Sequence, residues 1–348
     1  MRPLPRLLIA LVLSFGIVAL SPGQDPYFAL KQALELQGHV PATALQKRED
    51  PFTGSNLLVK VVTHPRYGEM SRIVEPLERQ GIRQLDDRST IRVYFPDRNE
   101  VHTQISSWRW RANTDERIQM IRANYRVSFG RREEIADKTA QSLIIEPKSD
   151  LLAKRVIWYD VNNRYILRYS VRSEENWDTR LDTISVSYDN PAASEFELPS
   201  NARVVARFGP LGMNSATDAE RYLRVYPPVP SSWPHGFRAE AMQIVGSEAA
   251  PLLAVRLTDG MAAVTVYFWN ASQHPQPPVR SGVLQRSGCQ IGALGEVSSE
   301  LRTKLVQHAA QVHVWDQEHI AGTPLFQDNR GYRGFLDPPI SVTRESNP

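Results

Sequence analysis

The residue types that could do chemistry are present, but their spacing does not bring them together. His313 and His319 bound the segment His-Val-Trp-Asp-Gln-Glu-His. Two histidines that share a metal on a helix stand four apart. Six residues turn a helix through 600°, which puts these two on different faces. The other six of the eight histidines stand singly and read as surface or satisfied core residues. Asp86-Asp87 and Glu133-Glu134 are adjacent acids. Neighbours on a strand point to opposite faces, so neither pair converges on one substrate, and a turn or a solvated edge is expected instead. There is no Gly-x-Ser-x-Gly elbow and no Gly-rich phosphate loop. Cys289 is the single cysteine and cannot close an internal disulfide. It is expected as a small core residue. The reading is non-enzymatic, with no catalytic residue, metal or cofactor nominated.

One stretch is chemically unusual. Trp108-Arg109-Trp110-Arg111 is followed by Arg117, Arg122, Arg126, Arg131 and Arg132. Interleaved Arg and Trp suit nucleic acid, an anionic surface or an acidic polymer. On a strand, Trp108 and Trp110 would share one face and Arg109 and Arg111 the other. A buried aromatic face behind a solvated basic one is the plainer reading.

The elements that would position these residues are mostly strands. Asp25-Pro26 is a helix start, an acid cap before proline at the first helical position, and Gly38 a stop. A short helix is expected over Ala42 to Arg48. From Asn56 the apolar period becomes two. Strands are expected over 57–62, 69–77, 91–95 and 101–110, then near 125–129, 141–146, 155–160, 164–172 and 181–188. Pro76 limits its strand to an edge or an end. A helix over 114–122 interrupts the series, and Asn162-Asn163 marks a hairpin turn. The whole reads as one large, mostly antiparallel sheet, whose face must be covered by curling, by helices or by an apolar ligand.

Residues 190–232 are rich in Pro and Gly and read as a linker, with a helix over 216–223 capped by Thr217. Beyond it, strands are expected over 238–245, 252–257, 262–269, 283–286 and 290–297, with Asp259-Gly260 as the strongest hairpin signal in the chain. A helix from Ser299 to about Trp315 follows. The expected organisation is a signal peptide at 1–23, a large domain at 25–198, a linker at 199–230, a small α+β domain at 231–318 and a tail at 319–348.

The N-terminus carries the export signature. Arg2 and Arg6 precede an apolar run from Leu7 to Leu20, and Ser21-Pro22-Gly23 offers small residues for cleavage. The run falls short of the roughly 20 residues that span a bilayer. The expected location is periplasmic or otherwise extracytoplasmic. The chain has 348 residues, 41 basic and 38 acidic; without Arg2 and Arg6 the balance is 39 to 38. Such a balance gives no reason to expect nucleic acid.

Several short motifs, in order, resemble one family. Phe52-Thr53-Gly54 leads into the first strand of the alternating series. Asn124-Tyr125-Arg126-Val127 is followed by Ala136-Asp137-Lys138-Thr139-Ala140 and by Ile144-Ile145-Glu146-Pro147. A hairpin of Arg155 to Asp160 and Tyr165 to Arg168 comes next. Trp233-Pro234-His235-Gly236-Phe237, Leu257-Thr258-Asp259-Gly260-Met261-Ala262-Ala263-Val264-Thr265-Val266-Tyr267 and Gly295-Glu296-Val297 complete the set. Together they are similar to the MucB/RseB family, periplasmic regulators of the envelope-stress sigma factor. Asp137 stands where that family prefers glycine, and Ser298 where it has proline.

The resemblance implies a LolA-like curved sheet closed by helices, then a smaller antiparallel domain. It implies a membrane-anchored anti-sigma factor as partner, and a lipid or lipopolysaccharide-like ligand in the large sheet. The candidate ligand-binding residues, on the expected apolar concave face, are Leu57, Val59, Val61, Ile91, Val93, Phe95, Trp108 and Trp110. The alternative is a LolA-type periplasmic carrier of lipid or lipoprotein.

Overall fold

A computed structural model describes residues 25–50, 54–106, 113–173, 176–206, 211–213, 215–274, 279 and 282–312. The export signal, Trp108 to Arg111, Phe52-Thr53 and the His313–His319 segment lie outside these residues.

Helix α1 (Pro26–Leu36) starts as the sequence predicts. The Asp25 side chain accepts from the Tyr27 N–H at 3.0 Å, and Pro26 opens the first turn. Its inner face buries Ala29, Leu30, Ala33 and Leu34. Eleven strands follow: β1 (Ala42–Glu49), β2 (Asn56–His64), β3 (Gly68–Glu75), β4 (Arg83–Asp86), β5 (Thr90–Phe95), β6 (Glu100–Ile105), β7 (Tyr125–Ile135), β8 (Lys138–Pro147), β9 (Arg155–Asp160), β10 (Ile166–Ser173) and β11 (Asn176–Ser187). Helix α2 (Thr114–Asn124) comes between β6 and β7, capped by Asn113. With β12 (Arg203–Ala206) these strands make one open twelve-stranded sheet, ordered β12-β6-β5-β4-β3-β2-β1-β11-β10-β9-β8-β7. Every pairing is antiparallel except β12 with β6.

The second sheet takes β13 (Leu211–Gly212), β14 (Arg238–Gly246), β15 (Pro251–Thr258), β16 (Ala263–Asn270), β17 (Leu284–Arg286) and β18 (Cys289–Gly295), in the order β13-β14-β15-β16-β18-β17. Helices α3 (Ala216–Leu223) and α4 (Ser299–Gln311) pack against it. Two cross-strand rows fill its inner face: Met242, Val255, Val266 and Ala293, then Ile244, Leu253, Phe268 and Ile291. All eight are buried. The α+β, mostly antiparallel architecture is therefore as read from the sequence.

Three local expectations are corrected. Residues 42–49 are a strand, not a helix. Ala-Thr-Ala-Leu-Gln-Lys has good helix formers, but β1 pairs on both sides, with β2 and β11, and tertiary pairing overrides propensity. Helix α3 is capped by Ser215, which accepts from the Asp218 N–H, rather than by Thr217. Helix α4 ends at Gln311, and Val312 is already extended.

The two departures from the family pattern have local physical accounts. Ala136 and Asp137 both have positive φ, 51° and 57°, in the tight β7–β8 turn. Asp tolerates that left-handed conformation better than most non-glycine residues. Ser298 caps α4 by accepting from the Leu301 N–H at 3.2 Å.

Candidate binding face and the seam between the sheets

Register places the six described ligand-site candidates. Val61 pairs with Ser71, Ser71 with Gln84, Gln84 with Val93, and Val93 with His102. Cross-strand partners point the same way, and alternate residues share a face. Leu57, Val59 and Val61 of β2 therefore lie on the same face as Ile91, Val93 and Phe95 of β5. Their surroundings differ. The β2 residues are buried and cluster with Ile73. The β5 residues are half-buried. Between the two stripes lie the β3 and β4 positions Ser71 and Gln84, the latter exposed. Three interstrand spacings separate β2 from β5, about 14 Å. The candidates thus form two apolar stripes, with Ser71 and Gln84 between Val61 and Val93 and the apolar Ile73 beside Val59.

At the far edge of the β5 stripe, Phe95 packs against His102 with ring centroids 4.9 Å apart. His102 Nε2 lies 2.8 Å from Glu100 Oε2. His102 and Arg203 hold the Glu100 carboxyl below the usual carboxylate range.

The basic series after Trp110 does not form one patch among the described residues. Arg117 Nε donates to the Gly260 carbonyl at 2.7 Å. Arg122 pairs with Asp25 and lies over the Tyr27 ring. Arg131 pairs with Glu133, and Arg132 donates to Gln141. The adjacent acids Asp86-Asp87 sit at the β4–β5 turn, where Asp87 accepts from Ser89 and Thr90. Among the described residues no group of three His, Cys, Asp or Glu could hold a metal ion.

Sequence reasoning missed the seam where the two sheets meet. Tyr125, which opens β7, donates its hydroxyl to Asp259 Oδ2 at 2.6 Å. Asp259 is fully buried, and its Oδ1 accepts from the N–H groups of Met261 and Ala262 at 2.8 and 2.7 Å. Arg155 of β9 is also fully buried and donates to the Tyr169 hydroxyl. Burial alone would favour its neutral form. Tyr169, Tyr125, Asp259 and Glu296 more than offset that, and its pKa is raised above the ordinary value. Burial first, then the Asp259 carboxylate, keeps the Tyr125 hydroxyl protonated. The hairpin signal Asp259-Gly260 is thus also the contact point of the two sheets.

Close approach explains two glycines of the motif set. A Cβ on Gly260 (φ 99°) would stand 2.8 Å from Ile121 Cγ1 and 3.0 Å from the Arg117 carbonyl oxygen. One on Gly236 (φ 74°) would collide with the Asn124 side chain at 2.0 Å. Asn124 Nδ2 donates to the carbonyls of Gly236 and Asp259. Apolar packing is continuous here: one buried cluster runs from Ala29, Ile121 and Leu143 to Phe237, Leu257 and Leu305. A cavity of about 480 Å³ opens beside the seam, lined by Met120, Asn124, Trp233, Phe237, Met242 and Val255 among others. The Trp233 indole N–H is buried and has no hydrogen-bond partner among the described residues.

Comparison with known proteins fits this architecture. Residues 75–194 match the family model described as the MucB/RseB N-terminal domain. No curated protein matches the chain. A crystal structure of MucB is similar over 82% of this chain and 98% of its own, with a TM-score of 0.55 at 14% identity. The MucA/MucB complex of Pseudomonas aeruginosa is similar over 81% of this chain and 97% of the matched chain, with a TM-score of 0.52 at 15% identity. A LolA superfamily protein from Nitrosomonas europaea covers 51% of this chain at 14% identity, with a TM-score of 0.25. The sequence resemblance and the family match point the same way: residues 75–194 match the MucB/RseB N-terminal domain.

Proposed function

We propose that this chain, whose residues 75–194 match the MucB/RseB N-terminal domain, is a non-enzymatic regulator. It binds the extracytoplasmic segment of a membrane-anchored anti-sigma factor. The observation that carries the reading is the family match together with a fold likeness to MucB, in a structure that also contains MucA. The export signature of residues 1–23 supports a periplasmic site of action. In this reading the twelve-stranded sheet is the sensing domain and the six-stranded sheet the smaller domain.

A lipid-like ligand belongs to the same proposal. Its acyl chain would lie along the half-buried stripe Ile91, Val93 and Phe95, each buried methylene contributing about 0.8 kcal/mol. Occupancy changes partner binding only if the ligand prefers one arrangement of the two sheets. The seam cavity, lined by Met120, Trp233, Phe237, Met242 and Val255, offers a partner segment an apolar anchor point.

The test is capture from an envelope extract with the folded chain as bait. The proposal expects a single-span membrane protein with a cytoplasmic sigma-binding domain. Recovery of no such protein contradicts it. A second reading, a carrier of lipid or lipoprotein, draws on the same apolar stripe. Native mass spectrometry of protein purified without detergent separates the two: a carrier keeps lipid and captures no anti-sigma factor.

A further inference from the structure

The opposite face of β2–β5 carries a different chemistry. Lys60 of β2 pairs with Arg72 of β3, and Arg72 with Arg83 of β4, in one cross-strand row. Three cations therefore stand side by side on one face. Directly opposed like charges on neighbouring strands destabilise a sheet unless something neutralises them. The Lys60 ammonium has its counter-ion: both Glu195 carboxylate oxygens lie 3.1 Å away. Arg92, diagonal to Arg83 on the same face, pairs with Asp87 at 3.5 Å. Arg72 and Arg83 have no ion-pair partner and no side-chain hydrogen bond among the described residues. The Nε of Arg83 is buried with no acceptor among the described residues, although a guanidinium N–H ordinarily finds one.

These groups border a built cleft. It measures about 90 Å³ and is lined by Lys60, Val62, Met70, Arg72, Arg83, Ser194 and Glu195. At about 30 Å³ per water, that is space for a few waters or one small oxyanion. Its floor is fixed, because Val62, Met70 and Leu85 are buried under Phe196. The short helical turn Ala193–Phe196 brings Ser194 to the rim. Two unpaired guanidiniums over an apolar floor, beside a Glu195 carboxylate already neutralised by Lys60, suit a tetrahedral oxyanion, because guanidinium forks match phosphate geometry.

We propose that Arg72, Arg83 and Ser194 form a phosphate-binding site on the face opposite the apolar stripes. The ligand is inorganic phosphate or the phosphate of a lipid headgroup. The site does not depend on the regulatory reading above.

The test uses the full mature chain. Thermal unfolding is followed in rising inorganic phosphate against sodium chloride of equal ionic strength. Vesicles of phosphatidylglycerol and of phosphatidylcholine are tested in parallel by co-sedimentation. Phosphate is expected to raise the midpoint above the chloride control. Arg72→Gln and Arg83→Gln should each weaken the apparent phosphate affinity at least tenfold. Because each removes a repulsion, the ligand-free midpoint should stay level or rise, which separates lost binding from lost folding. Selective binding of phosphatidylglycerol vesicles, lost in the same variants, assigns the site to a lipid headgroup. Phosphate binding without vesicle binding assigns it to the free ion. An equal phosphate shift in wild type and both variants overturns the proposal, as does no response to phosphate or to either vesicle.

Discussion

The Tyr125 hydroxyl donates a 2.6 Å hydrogen bond to Asp259 Oδ2, across 134 positions of sequence and from one sheet to the other. Around it, Arg155 brings a buried positive charge and Asp259 a buried negative one. Burial of such a pair is tolerated only when its hydrogen bonds are well made. The seam is therefore a polar joint set in a continuous apolar core.

Removing either side of this joint should show in chemical denaturation. Tyr125→Phe takes away one donor to a buried carboxylate and is expected to cost about 1–3 kcal/mol. Asp259→Ala also strips the acceptor from Met261 and Ala262 and removes one of the groups that offset the burial of Arg155, an expected loss of about 3–5 kcal/mol. The double variant should fall short of the sum, since the two share one hydrogen bond. Simple additivity would contradict the joint. The raised pKa of Tyr125 sets the pH window. Its contribution is fully present below the unfolded tyrosine value, about 10, and is lost as pH rises from there toward the folded value.

Gly260→Ala tests the close approach of the hairpin tip to α2. The added methyl meets Ile121 and the Arg117 carbonyl, and the backbone stays in a left-handed conformation. A loss of about 1–3 kcal/mol is expected from the backbone conformation alone, more with the collision. An unchanged midpoint would show that the tip does not press on α2.

Cys289 is buried beside Trp269, and burial pushes its thiol up to about 12. The thiolate is the reactive form. Alkylation at pH 8 should therefore be negligible in the native protein and complete in denaturant. Rapid native labelling would contradict the burial of this strand.

How far the sequence carried the reading depends on how local each signal was. Alternation in β2 and β5, the Asp25-Pro26 start of α1 and the Asp259-Gly260 hairpin are set by near neighbours, and all are present. Ala42 to Arg48 reads as a helix from local propensity and is a strand because its pairing comes from partners at 56–63 and 181–187. The seam was illegible for the same reason: Tyr125, Arg155 and Asp259 are ordinary strand and turn residues until the two sheets meet. The alternation placed six apolar candidates on one face, but it could not show that Leu57, Val59 and Val61 are buried while Ile91, Val93 and Phe95 are only half-covered. Trp108 and Trp110 lie outside the described residues.

That difference in cover makes the lipid proposal specific. Val93→Glu puts a charge in the middle of the half-buried β5 stripe without opening a core. It should weaken uptake of a fluorescent fatty acid at least tenfold and leave the fold intact by circular dichroism. Unchanged uptake would remove the β5 stripe from the account.

The central claim is that this chain holds an anti-sigma factor. Its most direct test is calorimetric titration of the purified mature chain with the extracytoplasmic segment of the captured membrane protein. The account predicts saturable binding that weakens when the chain is first loaded with a lipid it has taken up. No binding by a folded chain, with the segment intact, would contradict it.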